Sequence, residues 1–275
     1  MMMRARTGMR QRLAGIAALT LGFVGCCEEK QDARALVDLA TIKEIRIDYR
    51  HMGWGSVEEQ FIIVPAARGE GFVLHGLYVD EARRKVEVED IVLPQALQAF
   101  LEEIAAPGWT RPKGIQVLAQ RVDRAKLRRF EPVISTSQAR CTYGELQQLA
   151  RLHLGRTHVV DMVDDYYGHG ISWTDDYPLS TVQIQRQNEP MFTMSSQSQK
   201  AMMLPWNIGM PTNSASARGE NWSLPLSRSL QELLPPSSRL YERLDGIAWM
   251  QRQLEIYVEH EASEQCNAMR PEAEQ

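Results

Sequence analysis

Four cysteines in 275 residues are too few for a disulfide-built scaffold, and none forms a C-x-x-C pair or a zinc-type spacing. No G-x-S-x-G elbow is present, and the serine-rich stretch Ser195, Ser196, Gln197, Ser198 reads as a polar turn. Gly53, Trp54 and Gly55 lack the further glycine and following helix of a dinucleotide fingerprint. No stretch reaches the roughly 20 apolar residues of a membrane-spanning helix. Basic residues are not in excess either: 31 Lys and Arg stand against 35 Asp and Glu, for a net charge of −4. That balance argues against nucleic acid as a partner, because its binders carry a basic footprint.

What is present begins at the N-terminus. Arg4, Arg6, Arg10 and Arg12 form a basic lead, and residues 13–24 are apolar or small. This matches a signal-peptide core, whose apolar region is about 7–15 residues long. It ends in Phe23, Val24, Gly25 and Cys26, followed by a second cysteine, Cys27. The stretch resembles the signal peptides of bacterial lipoproteins, with Phe23 where leucine is usual. The resemblance covers residues 1–27 and implies cleavage after Gly25 and lipidation of Cys26. It also implies a membrane partner through the lipid anchor and a place in the bacterial cell envelope, periplasmic or surface-facing. Glu28 after Cys27, without the aspartate that marks inner-membrane retention in some bacteria, favours the outer membrane. An ordinary secretory peptide cut elsewhere or an uncleaved apolar anchor are the alternatives, and Met1, Met3 and Met9 are all candidate starts.

Removing residues 1–25 takes four arginines and no acid, so Lys and Arg fall to 27 and the net charge moves from −4 to −8. The organisation expected is a signal peptide (1–25), a tether (26–40), a β-meander plus helix (41–110), a basic helical connector (111–156), a second meander with helices (157–260) and a polar tail (261–275). The fold class is α+β: antiparallel meanders packed with helices, in two similar halves, plus a C-terminal helix.

Periodicity places the elements. Residues 41–49 alternate through Ile45 and Ile47, and 60–65, 72–79 and 85–93 follow as further strands joined by glycine turns. Pro94 opens a helix whose Leu97, Phe100, Leu101 and Ile104 share one face. Thr142 and Glu145 read as a capping box. Residues 159–167 read as an alternating strand, and 181–185, 191–194 and 201–208 as the rest of a second meander. A helix is expected over 225–234 and another up to residue 260. Ile45 precedes the first Gly-x-Gly by the same interval as Val160 precedes Gly168, His169 and Gly170, which fits either a duplication or two generic meander-plus-helix units.

Three constellations could carry chemistry. His158, Asp161, Asp165 and His169 are ligand types for zinc, manganese or iron, and a metal-bound water would make a hydrolase. A single strand, however, cannot aim them all at one ion, and the competing reading is solvated acids with no cofactor. Cys141 and Cys266 are the pair to test for a disulfide, against idle thiols. Arg121, Arg124 and Arg128, with Trp54 and Trp173, form a candidate interface; solvated helix faces and core tryptophans are the alternatives. No catalytic residue emerges. The expectation is a lipid-anchored envelope protein whose body binds a small ligand or an envelope protein without catalysis. The alternatives are the metal-dependent hydrolase and a periplasmic toxin-immunity protein.

Overall fold

Ile45, Ile47 and Tyr49 lie on the same side of an extended chain, and none is more than 2% exposed. That buried row forms the middle of an eight-stranded antiparallel sheet, giving an α+β architecture. The computed structural model describes residues 37–52, 56–67, 71–79, 84–129, 141–168, 179–197, 204–209, 220–244 and 246–269. The strands are β1 (Ile42–Met52), β2 (Ser56–Pro65), β3 (Phe72–Val79), β4 (Lys85–Val92), β5 (Leu179–Arg186), β6 (Phe192–Gln197), β7 (Trp206–Gly209) and β8 (Glu220–Asn221), in the order β4-β3-β2-β1-β5-β6-β7-β8.

Each side of the sheet is thus a four-strand meander, and the two meet where β1 pairs with β5. There Ile45 lies opposite Ile184 and Ile47 opposite Val182. A register shift between Ile42 and Glu44 lets Ile42 and Ile45, three residues apart, both face inward, which is the effect of a bulge. Glycine is required at position 76 because Phe61 lies directly opposite, and a Cβ there would stand 2.6 Å from the Phe61 ring. The other face of β1 carries Lys43, Arg46, Asp48 and Arg50 towards water, as expected for an antiparallel sheet packed on one side.

Besides a short 3₁₀ turn at Leu39–Thr41, eight α-helices occur among the described residues. They are α1 (Pro94–Ala105), α2 (Arg111–Ala119), α3 (Arg124–Arg129), α4 (Tyr143–Arg156), α5 (Val159–Gly168), α6 (Leu224–Gln231), α7 (Arg239–Leu244) and α8 (Ile247–Met269). In α1 the residues Leu97, Phe100, Leu101 and Ile104 are buried, each worth about 1.5–3 kcal/mol of transfer free energy. Helix α1 follows the first meander, α6 follows the second, and the two pack together. Trp206 on β7 is wholly buried and donates its indole N–H to the Ser227 hydroxyl on α6 at 2.8 Å. The capping box at Thr142 and Glu145 starts α4. Helix α4 lies along α8, and the Cys141–Cys266 disulfide ties the pair across 125 residues of chain.

The structure corrects three sequence expectations. Residues 159–167 are helix α5, not a strand. Val159, Met162, Val163, Tyr166 and Tyr167 stand at i, i+3, i+4, i+7 and i+8, a helical stripe of which Met162, Val163 and Tyr167 are buried. The second meander therefore starts at Leu179, and the counterpart of β1 is β5 rather than the segment containing Val160. The last helix does not fray after residue 260: α8 continues to Met269 because Val258, Ala262 and Cys266 extend its buried face. Its N-terminal part is a separate helix, α7.

Candidate functional site

A groove of about 680 Å³ lies where β1 and β2 run under α7 and α8. Its floor is Tyr49, His51 and Val57, and its walls include Arg239, Glu242, Arg243, Trp249 and Arg252. The position of α7 follows from buried polar chemistry. Glu59 on β2 is 3% exposed and faces the same side as Phe61 and Ile63. Its carboxylate accepts the N–H groups of Arg239 at 2.7 Å and Leu240 at 3.0 Å, two donors that a helix start leaves without intrahelical partners. The Ser238 hydroxyl accepts the next N–H, that of Tyr241, at 2.8 Å. The hydroxyls of Tyr78 and Ser237 meet at 2.7 Å. Burial pushes the Glu59 carboxyl above its ordinary range, opposed by the Arg239 and Leu240 N–H groups.

So held, α7 presents Arg239 and Arg243, one turn apart, to the groove. Arg239 pairs with Glu242 at 2.9 Å. The Arg243 guanidinium stands near the Tyr49 hydroxyl, and its charge opposes the upward push of burial there. Helix α8 adds Trp249, 54% exposed, and the exposed Arg252. Among the described residues, three guanidinium groups and one carboxylate line the groove, an excess of positive charge although the chain carries a net charge of −4.

A smaller cleft of about 330 Å³ separates α3 from the start of α5. Comparison with family models, curated proteins and solved structures finds no match. The cleft unites residues from two predicted constellations, since Arg124 and Arg128 line it together with His158 and Asp161. Arg121 is exposed but does not line it. Because residues 159–168 are helical, His158, Asp161 and Asp165 follow an i, i+3, i+7 spacing rather than falling on opposite faces of a strand. Even so, no three His, Cys, Asp or Glu side chains among the described residues gather as a metal site. His169, Trp54, Trp173, Gly25, Cys26 and Cys27 lie outside the described residues.

The rest of the basic connector is partly spent on packing. Arg111 pairs with Asp164 at 2.8 Å and lies 5.6 Å from the centre of the Trp222 ring. Lys113 caps Trp109 at 4.3 Å, and Lys126 pairs with Glu255 at 3.0 Å. Trp206 and Trp222 are core residues. Among the described residues, no helix is long and apolar enough to cross a membrane.

The groove residues Arg239, Arg243, Trp249 and Arg252 were not singled out from the sequence. One signal was available. Trp249 falls beside the Met250–Leu254–Val258 stripe, and a tryptophan off the buried face of an amphipathic helix must face something else.

Proposed function

We propose that this chain is a non-catalytic binding protein of the bacterial cell envelope, tethered through a lipid on Cys26, that captures an anionic ligand or partner in the β1–β2–α7–α8 groove. The observation that carries the reading is the convergence of Arg239, Arg243 and Arg252 around the exposed Trp249 on an otherwise acidic chain. Arginine forks match carboxylate and phosphate geometry, and tryptophan supplies a large, rigid contact area. Glu242 is held by Arg239, so the lining offers binding groups rather than a poised general base. The tether enters before β1 at Ile42, whereas the groove lies at the Tyr49–His51 end, about 25–30 Å along the strand. The groove is therefore at the end of the body remote from the entry of the tether.

Two measurements test this. Intact mass of the membrane-extracted chain should show diacylglycerol on a mature N-terminal Cys26; an unacylated chain cut elsewhere contradicts the anchor. Hydrogen exchange of the full chain in detergent, with and without envelope extract, should show added protection at residues 49–57 and 239–252. Protection confined to residues 124–161 would move the binding surface to the smaller cleft and contradict the groove.

A further inference from the structure

We infer that the groove receives an acidic segment of a partner protein, with a carboxylate on Arg252 and Arg243 and a neighbouring apolar side chain on Trp249. This rests on the groove being the binding surface, and it adds the class of the occupant. Three features favour a protein segment. The groove is half open to solvent rather than an enclosed cavity, whereas small-molecule sites bury most of their ligand. Its exposed lining groups tryptophan with arginine, two residue types enriched in protein-interface hot spots. Its charge calls for an acidic partner, and Arg252 makes no hydrogen bond or ion pair among the described residues.

Helix α8 (Ile247–Met269) carries the chain about 30 Å away from the groove between Trp249 and Met269. Glu242 sets a further requirement. Its carboxylate already holds Arg239, so an incoming acid must engage the Arg243–Arg252 side, away from it. The recognised segment would thus have its acid and its apolar residue close together, since Trp249 and Arg252 lie one helical turn apart.

The test uses the full chain in detergent with four defined probes: a fluorescein-labelled peptide of alternating glutamate and leucine, its glutamine counterpart, inorganic phosphate, and phosphatidylglycerol vesicles. Anisotropy should show saturable binding of the glutamate peptide at low salt and none of the glutamine peptide. Arg252→Glu and Trp249→Ala, both at exposed positions, should each weaken binding tenfold or more. Arg128→Glu, a matched charge change at the smaller cleft, should alter it less than twofold. Equal binding of the glutamine peptide, or of the glutamate peptide to Arg252→Glu, overturns the inference. If phosphate or the vesicles perturb the Trp249 indole resonance in an Arg252-dependent way while the peptide does not, the groove stands as a binding surface and the acidic segment falls. If no probe perturbs Trp249, both readings fall.

Discussion

Replacing Glu59 by glutamine would separate the sheet from the helix that aims the groove. The wild-type carboxylate satisfies two backbone donors at the start of α7, at 2.7 and 3.0 Å. Glutamine offers one carbonyl oxygen and one amide nitrogen, so one of those donors meets another donor. A buried donor left unpaired costs about 1–3 kcal/mol, and Glu59→Gln should lose about that much stability. Glu59→Ala strands both donors and should lose about twice as much. The pH dependence has a definite sign. Burial raises the folded-state pKa above the ordinary 4.5, so the folded protein keeps this proton to higher pH than the unfolded chain. The contribution of Glu59 is therefore complete below about 4.5 and is lost as pH rises through the folded-state value. Glutamine does not titrate, so in urea melts the gap between wild type and Glu59→Gln should be widest in acid and narrow across that window. A gap that widens with pH, or a variant as stable as wild type throughout, refutes the reasoning.

Three further predictions concern the fold. Reducing the Cys141–Cys266 bond, or replacing both residues by serine, opens a 125-residue loop; chain entropy puts the loss at about 5 kcal/mol, seen as a lower urea midpoint. An unchanged midpoint would mean that the denatured state stays ordered between α4 and α8. Arg186, 1% exposed, has no hydrogen-bond partner for its buried Nε and Nη1 among the described residues, and its guanidinium cannot lose its charge. Arg186→Met should accordingly stabilise the protein by about 1–4 kcal/mol, and a loss of stability in thermal melts would show that the guanidinium has a partner in solution. Gly114 lies against Trp222, where a Cβ would stand 2.6 Å from the Trp222 Cβ and 2.8 Å from its carbonyl oxygen. Gly114→Ala should cost about 1–3 kcal/mol through displacement of Trp222, with a changed near-ultraviolet circular dichroism spectrum; wild-type stability and spectrum would contradict that packing.

The legible parts of the sequence were those where local pattern and tertiary packing agree. Ile45 and Ile47 alternate with charges in β1, and Leu97, Phe100, Leu101 and Ile104 repeat at helical spacing in α1. Helix α5 was obscured because Val159, Val160 and Val163 are β-branched and favour a strand reading, while the i, i+3, i+4 positions that decide the matter extend to Tyr167. The end of α8 was hidden by its buried residues, since Ala262 and Cys266 are too small to stand out among polar neighbours. The groove was illegible for a different reason. Tyr49 and Val57 on the sheet, Arg239 and Arg243 on α7, and Trp249 and Arg252 on α8 are brought together by Glu59 across about 180 residues of chain. No local spacing encodes that bond. The basic run at 111–129 was visible as charge, but the partners of Arg111 and Lys126 lie on other helices.

The most direct test of the groove as the functional surface is site-specific photocrosslinking in intact envelopes. A benzophenone amino acid would replace Trp249 in the groove, and Gln95, exposed at the opposite end of the sheet, would serve as the control. An ultraviolet-dependent adduct from position 249, lost when Arg252→Glu is added and absent from position 95, is the predicted result. Adducts from position 95 alone, or adducts from 249 indifferent to Arg252, would contradict the account.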